Sequence, residues 1–208
     1  VKKSTDLVTF APTKKITVNQ ALPYTLFLDR DGVINHRIPG SYVKYWEEFE
    51  FIEGSIEAIA ACMGLFNRIV VVTNQQGIGK EYMTTAQLNA VHAQMLRAIS
   101  EAGGHIDKVY FSPELATTNP ISRKPNPGMG HQAKADFPEI DFTKSIMVGD
   151  SLSDMGFGEG LGMTNIFIAT KAEDLAKRKT MDSVPKIDYE VMQLSEIVPI
   201  VKQVIMNR

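Results

Sequence analysis

The chain has 208 residues, of which 44% are hydrophobic and 22% charged, with a formal net charge of -2. That length suits one sizeable core rather than two full domains, and the composition is that of a globular protein with a packed interior. A near-neutral balance gives no basis for a nucleic-acid or acidic-membrane partner, and nowhere do about 18 apolar residues run together as a bilayer span requires.

In chain order, residues 1–20 lack the continuous apolar stretch of a secretory signal and read as an N-terminal arm, with residues 21–208 as one domain. The runs YTLFLD (24–29), RIVVVT (68–73), KVYF (108–111), SIMVGD (145–150) and NIFIAT (165–170) are continuously apolar and of strand length. Such runs suit strands covered on both faces. Helical patterns separate them at 55–66, 84–103, 128–137 and 151–162, the longest with Thr84 or Thr85 as N-cap and Gly103 and Gly104 as its stop. Strand alternating with helix predicts an α/β fold of Rossmann-like type, three layers around a central parallel sheet with right-handed crossovers. Residues 32–51 are too long for a simple connection and predict a flap over the end of the first strand, with Trp46, Phe49 and Phe51 packing it down. Residues 112–128 carry four prolines and predict an irregular loop, and the tail is expected to close the sheet with a helix begun near Ser195. The single cysteine, Cys62, lies in an apolar run and reads as a small core residue. Its solitude fits a reducing compartment, so the expected location is cytoplasmic.

In an open parallel sheet, ligands bind beyond the carboxyl ends of the strands. Asp29 and Asp31 follow the first strand, Thr73 and Asn74 the second, Arg123 and Lys124 lie in the loop after the third, and Asp150 and Asp154 follow the fourth. Taken singly, each is an ordinary turn former, helix cap or solvated lysine. Together they put several carboxylates on one edge, and two charges about 4 Å apart repel by roughly 4 kcal/mol at an effective dielectric near 20. A cation is required, and hard oxygen ligands predict Mg2+. The four histidines show no metal-ligand spacing and read as surface or core residues.

FLDRDGVIN, VVTNQQGIGKEYMT, SRKPNPGM and MVGDSLSDM resemble, in order, the four signature motifs of the haloacid dehalogenase (HAD) superfamily of phosphohydrolases. The likeness spans about residues 24–170, and the DRDG and TNQQGIG forms are similar to the branch that holds heptose-bisphosphate and histidinol-phosphate phosphatases. The resemblance implies an HAD-like fold and a phosphatase that works through an aspartyl-phosphate. Asp29 is then the nucleophile, held ionised by magnesium. Asp31 is the general acid and base, able to keep a proton, and Lys124 neutralises charge on the transferring group. Thr73, Asn74 with the amides of the QQGIG loop, and Arg123 bind phosphate. Asp29, the main-chain carbonyl of Asp31, and Asp150 hold the metal, and Asp154 orients Lys124 or a metal-bound water.

Many members of that branch carry a zinc loop of three cysteines and a histidine, but residues 112–123 contain neither residue type. No structural zinc is expected, and prolines and packing are expected to hold the loop instead. With no large cap domain, the flap and this loop must screen the site, which suits a small phosphorylated metabolite. Arg123, Lys80 and Arg37 add cationic groups beyond the transferred phosphate and favour a second anion, so a sugar bisphosphate is the preferred substrate. The alternatives are a histidinol-phosphate or nucleotide phosphatase using the same residues, and a non-catalytic phosphate-binding module. The expected assembly is a monomer or small homo-oligomer.

Overall fold

The computed structural model describes residues 23–206, so the arm expected over 1–20 lies outside the described residues. The five apolar runs form β1 (Thr25–Leu28), β2 (Arg68–Asn74), β3 (Lys108–Ser112), β4 (Ser145–Gly149) and β5 (Thr164–Ile168). A sixth strand, β6 (Tyr189–Val191), completes a sheet of order β3-β2-β1-β4-β5-β6 in which every pairing is parallel. Period-two alternation splits β1, β2, β4 and β5 between two cores. Leu26, Leu28, Val71, Ile146, Val148 and Ile166 face α1 (Ser55–Cys62), α2 (Thr85–Glu101) and α6 (Ile197–Met206). Phe27, Val70, Val72, Met147 and Phe167 face α3 (Gly128–Asp136) and α4 (Leu152–Leu161). Both faces are apolar, which is why the strands read as unbroken apolar runs rather than alternating ones.

Helix ends follow local chemistry. Thr84 caps α2 reciprocally: its Oγ1 accepts from the Gln87 amide at 3.2 Å while Gln87 Oε1 accepts from the Thr84 amide at 2.8 Å. The helix expected over 55–66 stops at Cys62, where the chain turns through Gly64 at φ +79°. Two elements escaped the sequence reading. β6 has only three residues, too few to show a period, and sits in the tail where a helix alone was expected. α5 (Ala172–Arg178) is rich in charge, and its one buried residue is Asp174, so it offers no apolar stripe. The final helix begins at Ile197, after a 3-10 turn over Leu194–Glu196 that contains the expected start.

The chain runs outward from β1 through β2 to β3, then returns to lay β4, β5 and β6 on the other side. The strand order therefore reverses between β1 and β4, and the carboxyl ends of those two strands flank the crevice where such sheets bind ligands. The Asp29 amide donates to the Val148 carbonyl at 2.9 Å, which carries the β1–β4 register into the site.

Residues 32–51 fold back as a flap, with the His36 amide on the Glu50 carbonyl at 2.8 Å and a bridge between Asn35 and Phe51. Trp46 stacks on Phe49 at 5.1 Å, and Phe49 meets Phe51 edge-on at 4.9 Å, so this trio anchors the flap on the α1/α2 core. Hydrogen bonds also hold the loop over 112–128, beside the prolines and packing expected from sequence. Glu114 accepts from both Ser112 and Ser122, whose hydroxyls lie 3.1 Å apart, and Asn126 donates to Asn119 Oδ1 and the Pro120 carbonyl, each at 2.9 Å. Among the described residues no helix is long and apolar enough to cross a membrane.

Candidate active site

Asp29 continues β1 and Asp150 continues β4, while Asp154 sits in the first turn of α4. All three are buried, and each offers a carboxylate oxygen within 4.8 Å of the others. Gly32, at φ +89°, makes the approach of the flap possible, because a Cβ there would fall 1.9 Å from Asp150 Oδ2. Asp154 splits its work. Oδ2 accepts from the Ser151 amide at 3.0 Å and hydroxyl at 2.6 Å, capping α4, while Oδ1 pairs with Lys124 Nζ at 2.5 Å. Lys124 is itself buried and also donates to Asp29 Oδ1 at 2.9 Å and to the Val72 carbonyl at 2.6 Å. Asn74 fixes the lysine's backbone: its Nδ2 donates to the Lys124 carbonyl at 3.1 Å and its Oδ1 accepts from the Lys124 amide at 3.0 Å.

Burial pushes the Asp29 carboxyl above its ordinary range, an effect that Lys124 and Arg37 only partly offset. Burial likewise lifts Asp150 to about 7 against the pull of Arg37. For Lys124, burial favours the neutral amine, but Asp154 and Asp29 outweigh it and hold the ammonium charged. Arg37 is the second cation of the cluster. Its guanidinium grips Asp150 through both carboxylate oxygens, Nε to Oδ2 at 2.7 Å, and lies 3.8 Å from Asp29. Arg37, expected from sequence to face an anion beyond the transferred phosphate, lines the cavity and also neutralises the acidic cluster. Lys80, given the same role, lies 5.7 Å over the Tyr42 ring and does not line the cavity. With all three carboxylates ionised, the two cations leave one uncompensated negative charge, in keeping with the raised Asp29 and Asp150. That charge, and a donor set made only of hard oxygen, fit a divalent cation such as magnesium at Asp29 and Asp150.

Asp31 stands apart from this cluster. Arg30, fully buried, forks onto it, with Nη2 at 2.7 and 2.9 Å from its two oxygens and Nε at 3.2 Å. Asn35 Nδ2 adds a bond to Oδ1 at 3.0 Å, and Gln75 Nε2 one to Oδ2 at 2.7 Å. Burial alone would raise the Asp31 carboxyl, but the Arg30 charge and these three donors hold it below the ordinary range. The protein's own groups thus favour the ionised form at Asp31 and disfavour it at Asp29. The order expected from sequence had magnesium hold Asp29 ionised, and it had no sight of the Arg30 clamp on Asp31. Arg30 and Asn35 were missed as site residues, Gln75 was expected to act through its backbone amide rather than its side chain, and Arg37 was expected in a different role. The one sequence signal was the charge of Arg30 between Asp29 and Asp31, directly after an apolar strand.

Thr73 is buried at the end of β2 and accepts from Gln75 Nε2 at 2.9 Å, in line with the Gln75 bond to Asp31. The TNQQGIG loop is less open than expected. The amides of Gln75, Ile78, Gly79 and Lys80 donate to the carbonyls of Ser112, Gln75, Pro113 and Gln76, so those donors are already engaged. Its glycines serve packing, since a Cβ at Gly77 would lie 2.7 Å from the Tyr42 ring and one at Gly79 would lie 2.7 Å from the Pro113 carbonyl. They let the flap and the 112–128 loop dock on the sheet edge.

A cavity of about 560 Å³ opens over these groups, walled by the flap from Arg37 to Val43, by Thr73, Asn74 and Gln76, and by Lys171 to Glu173. Asp29, Asp31, Lys124 and Asp154 form its floor, and Arg123 its side. Asp150 faces a second cavity of about 270 Å³ behind Arg37. Trp46 lines neither cavity. Arg123 has a buried Nη1 with no hydrogen-bond partner and, among the described residues, makes no ion pair. It is half-buried and burial disfavours its charge, with only the nearby Tyr42 acting the other way. An unpaired guanidinium on the wall, next in sequence to the lysine on the floor, is suited to an anion a short distance from the Asp29 carboxylate.

The chain matches the HAD-hydrolase-like family model over residues 121–196. It is 37% identical over 132 residues to the D-glycero-alpha-D-manno-heptose-1,7-bisphosphate 7-phosphatase of Mycobacterium tuberculosis, covering 64% of this chain and 70% of that protein. It is 31% identical over 183 residues to the D-glycero-beta-D-manno-heptose-1,7-bisphosphate 7-phosphatase of Pasteurella multocida, covering 85% of this chain and 96% of that protein. The D,D-heptose 1,7-bisphosphate phosphatase of Bordetella bronchiseptica, solved as a complex with magnesium and phosphate, superposes with a TM-score of 0.76 at 28% identity, over 88% of this chain and 99% of that one.

Proposed function

The chain belongs to the HAD-like hydrolases and is a phosphatase, and from that premise we propose that it removes one phosphate from a sugar bisphosphate of the D-glycero-D-manno-heptose 1,7-bisphosphate type. The transferred phosphate enters over Asp29. An Asp29 oxygen attacks phosphorus, the bond to the sugar oxygen breaks, and Asp31 gives that oxygen its proton, leaving a free alcohol and an aspartyl-phosphate. The protein's own groups favour an ionised Asp31, and the negative phosphate arriving beside it raises its proton affinity, so it takes a proton from solvent as the substrate binds. A water then attacks phosphorus, Asp31 takes the water's proton, and the bond to Asp29 breaks to release inorganic phosphate. Lys124 stays charged throughout and balances the growing charge between Asp29 and the phosphoryl oxygens. Asp154 aims Lys124, and Thr73 offers its hydroxyl on the cavity wall. Magnesium, held by Asp29, Asp150 and the main-chain carbonyl of Asp31, would supply positive charge to the phosphoryl oxygens and favour an ionised Asp29.

The observation that carries the substrate class is Arg123: an unpaired cation on the wall of the cavity calls for a second anion on the molecule whose first phosphate lies over Asp29. The relatives' names supply both anomers, and this wall does not choose between them. The test compares kcat/KM for a heptose bisphosphate and the matching monophosphate in the wild-type enzyme and in Arg123→Gln. A charge-assisted bond of about 1.5–3 kcal/mol corresponds to a preference of about 10- to 100-fold for the bisphosphate, lost in the variant. Equal loss on both substrates would remove Arg123 from distal recognition.

A further inference from the structure

We propose that His92, on the far side of Arg30 from the cavity, is a positioning residue that sets the aim of Asp31 by fixing the plane of the Arg30 guanidinium. His92 lies on α2, 62 residues away in the chain, and its Nε2 is 3.0 Å from Arg30 Nη1. An arginine can only donate here, so Nε2 must present its lone pair. The ring is therefore neutral with its proton on Nδ1, in keeping with the buried setting that holds its proton affinity far below the ordinary imidazole range. A neutral acceptor anchors one arm of the fork without taking its charge, and the other arm and Nε are left to Asp31.

The guanidinium is then fixed at both ends. Asn35 and Gln75 fix the carboxylate from its remaining sides, and Gln75 ties it to Thr73 at the phosphate end of β2. Remove the acceptor at position 92 and Nη1 becomes a buried donor without a partner. The fork regains its freedom to rotate, and the carboxylate that follows it loses its fixed aim. Proton transfer to a leaving oxygen requires that aim, since the donor must lie within hydrogen-bond reach of the atom it serves.

The inference rests on the reading of Asp31 as the proton donor, and leaving-group chemistry separates the two claims. An alkoxide leaving from a sugar phosphate needs a proton, whereas p-nitrophenolate leaves without one. The ratio of kcat/KM for the sugar phosphate to that for p-nitrophenyl phosphate therefore reports on proton donation in the first step, and a general loss of fold does not move it. The ratio is measured for the wild-type enzyme, Asp31→Asn, His92→Leu and His92→Gln. The expected result is a fall of about tenfold in His92→Leu. His92→Gln, whose carbonyl supplies an acceptor, recovers to within about twofold of wild type, and Asp31→Asn falls further than either. If His92→Leu loses activity equally on both substrates while Asp31→Asn remains selective, the positioning role is wrong and the reading of Asp31 stands. If Asp31→Asn itself shows no selectivity, that reading fails first. Should His92→Leu not fold, His92→Met carries the same comparison.

Discussion

The two carboxylates of the DRDG segment sit two residues apart and are held by opposite strategies. Asp29 belongs to a buried cluster with Asp150 and Asp154 that two protein cations do not fully neutralise. Asp31 belongs to a clamp in which Arg30, Asn35 and Gln75 satisfy both of its oxygens. The first arrangement costs stability and leaves a demand for positive charge that a metal and a phosphate transition state can use. The second is neutral in itself and fixes direction. On the proposed mechanism, the nucleophile that must change partners sits in the under-compensated cluster, and the proton carrier that must keep its aim sits in the clamp.

Perturbing each side in turn separates these strategies. The largest effect is expected from Lys124→Met, which leaves Asp29 and Asp154 buried without their shared cation. Breaking a buried pair from one side costs about 3–5 kcal/mol, so denaturant unfolding should show a loss in that range, partly recovered by added magnesium if the cluster binds it. A loss below about 1 kcal/mol, the range of exposed pairs, would mean that the cluster is solvated. Asp31→Asn should lower kcat by about 10² to 10⁴ while leaving Mn2+ affinity, read by electron paramagnetic resonance, close to wild type. Parallel loss of metal affinity would merge the two regions into one.

A smaller effect concerns the His92 anchor. Its imidazole, ordinarily near 6.5, is lowered to about 3 in the fold. The unfolded chain therefore binds the proton first, and as pH falls from about 6.5 toward 3 this residue removes about 1.4 kcal/mol of stability per unit. Urea unfolding of His92→Gln against wild type across that window should show a shallower acid loss in the variant, and identical slopes would place the imidazole in contact with water. Smallest is Ser112→Ala in the 112–128 loop. It removes a hydroxyl bonded near Ser122 and Glu114 and should cost about 1 kcal/mol in the same unfolding assay. No change would leave the prolines as that loop's main support.

The same contrast explains what was legible in the sequence. Asp29, Lys124, Asp150 and Asp154 each follow an apolar run or a proline-marked loop, and strand-end placement in a parallel sheet brings such residues together without knowledge of side-chain directions. The clamp obeys no such rule. Arg30 pairs with its own neighbour, and its other partner comes from α2, a contact that no local period encodes. The strands were visible because both faces are buried, whereas β6 is too short and α5 too polar to leave a pattern. Gly77 and Gly79 show a related limit: a glycine in a loop signals close approach but not by what, and here the approaching groups include the Tyr42 ring and the Pro113 carbonyl.

The central claim is that Asp29 carries the phosphoryl group between substrate and water. It is tested most directly by mixing the Asp31→Asn enzyme, in which attack by water is slowed, with magnesium and p-nitrophenyl phosphate, whose leaving group needs no proton, then quenching in acid and mapping phosphorylated peptides by mass spectrometry. The account expects one phosphoryl group on Asp29 and none in the Asp29→Asn, Asp31→Asn double variant. Release of inorganic phosphate with no phosphoryl group on Asp29, or with one on another residue, would contradict it.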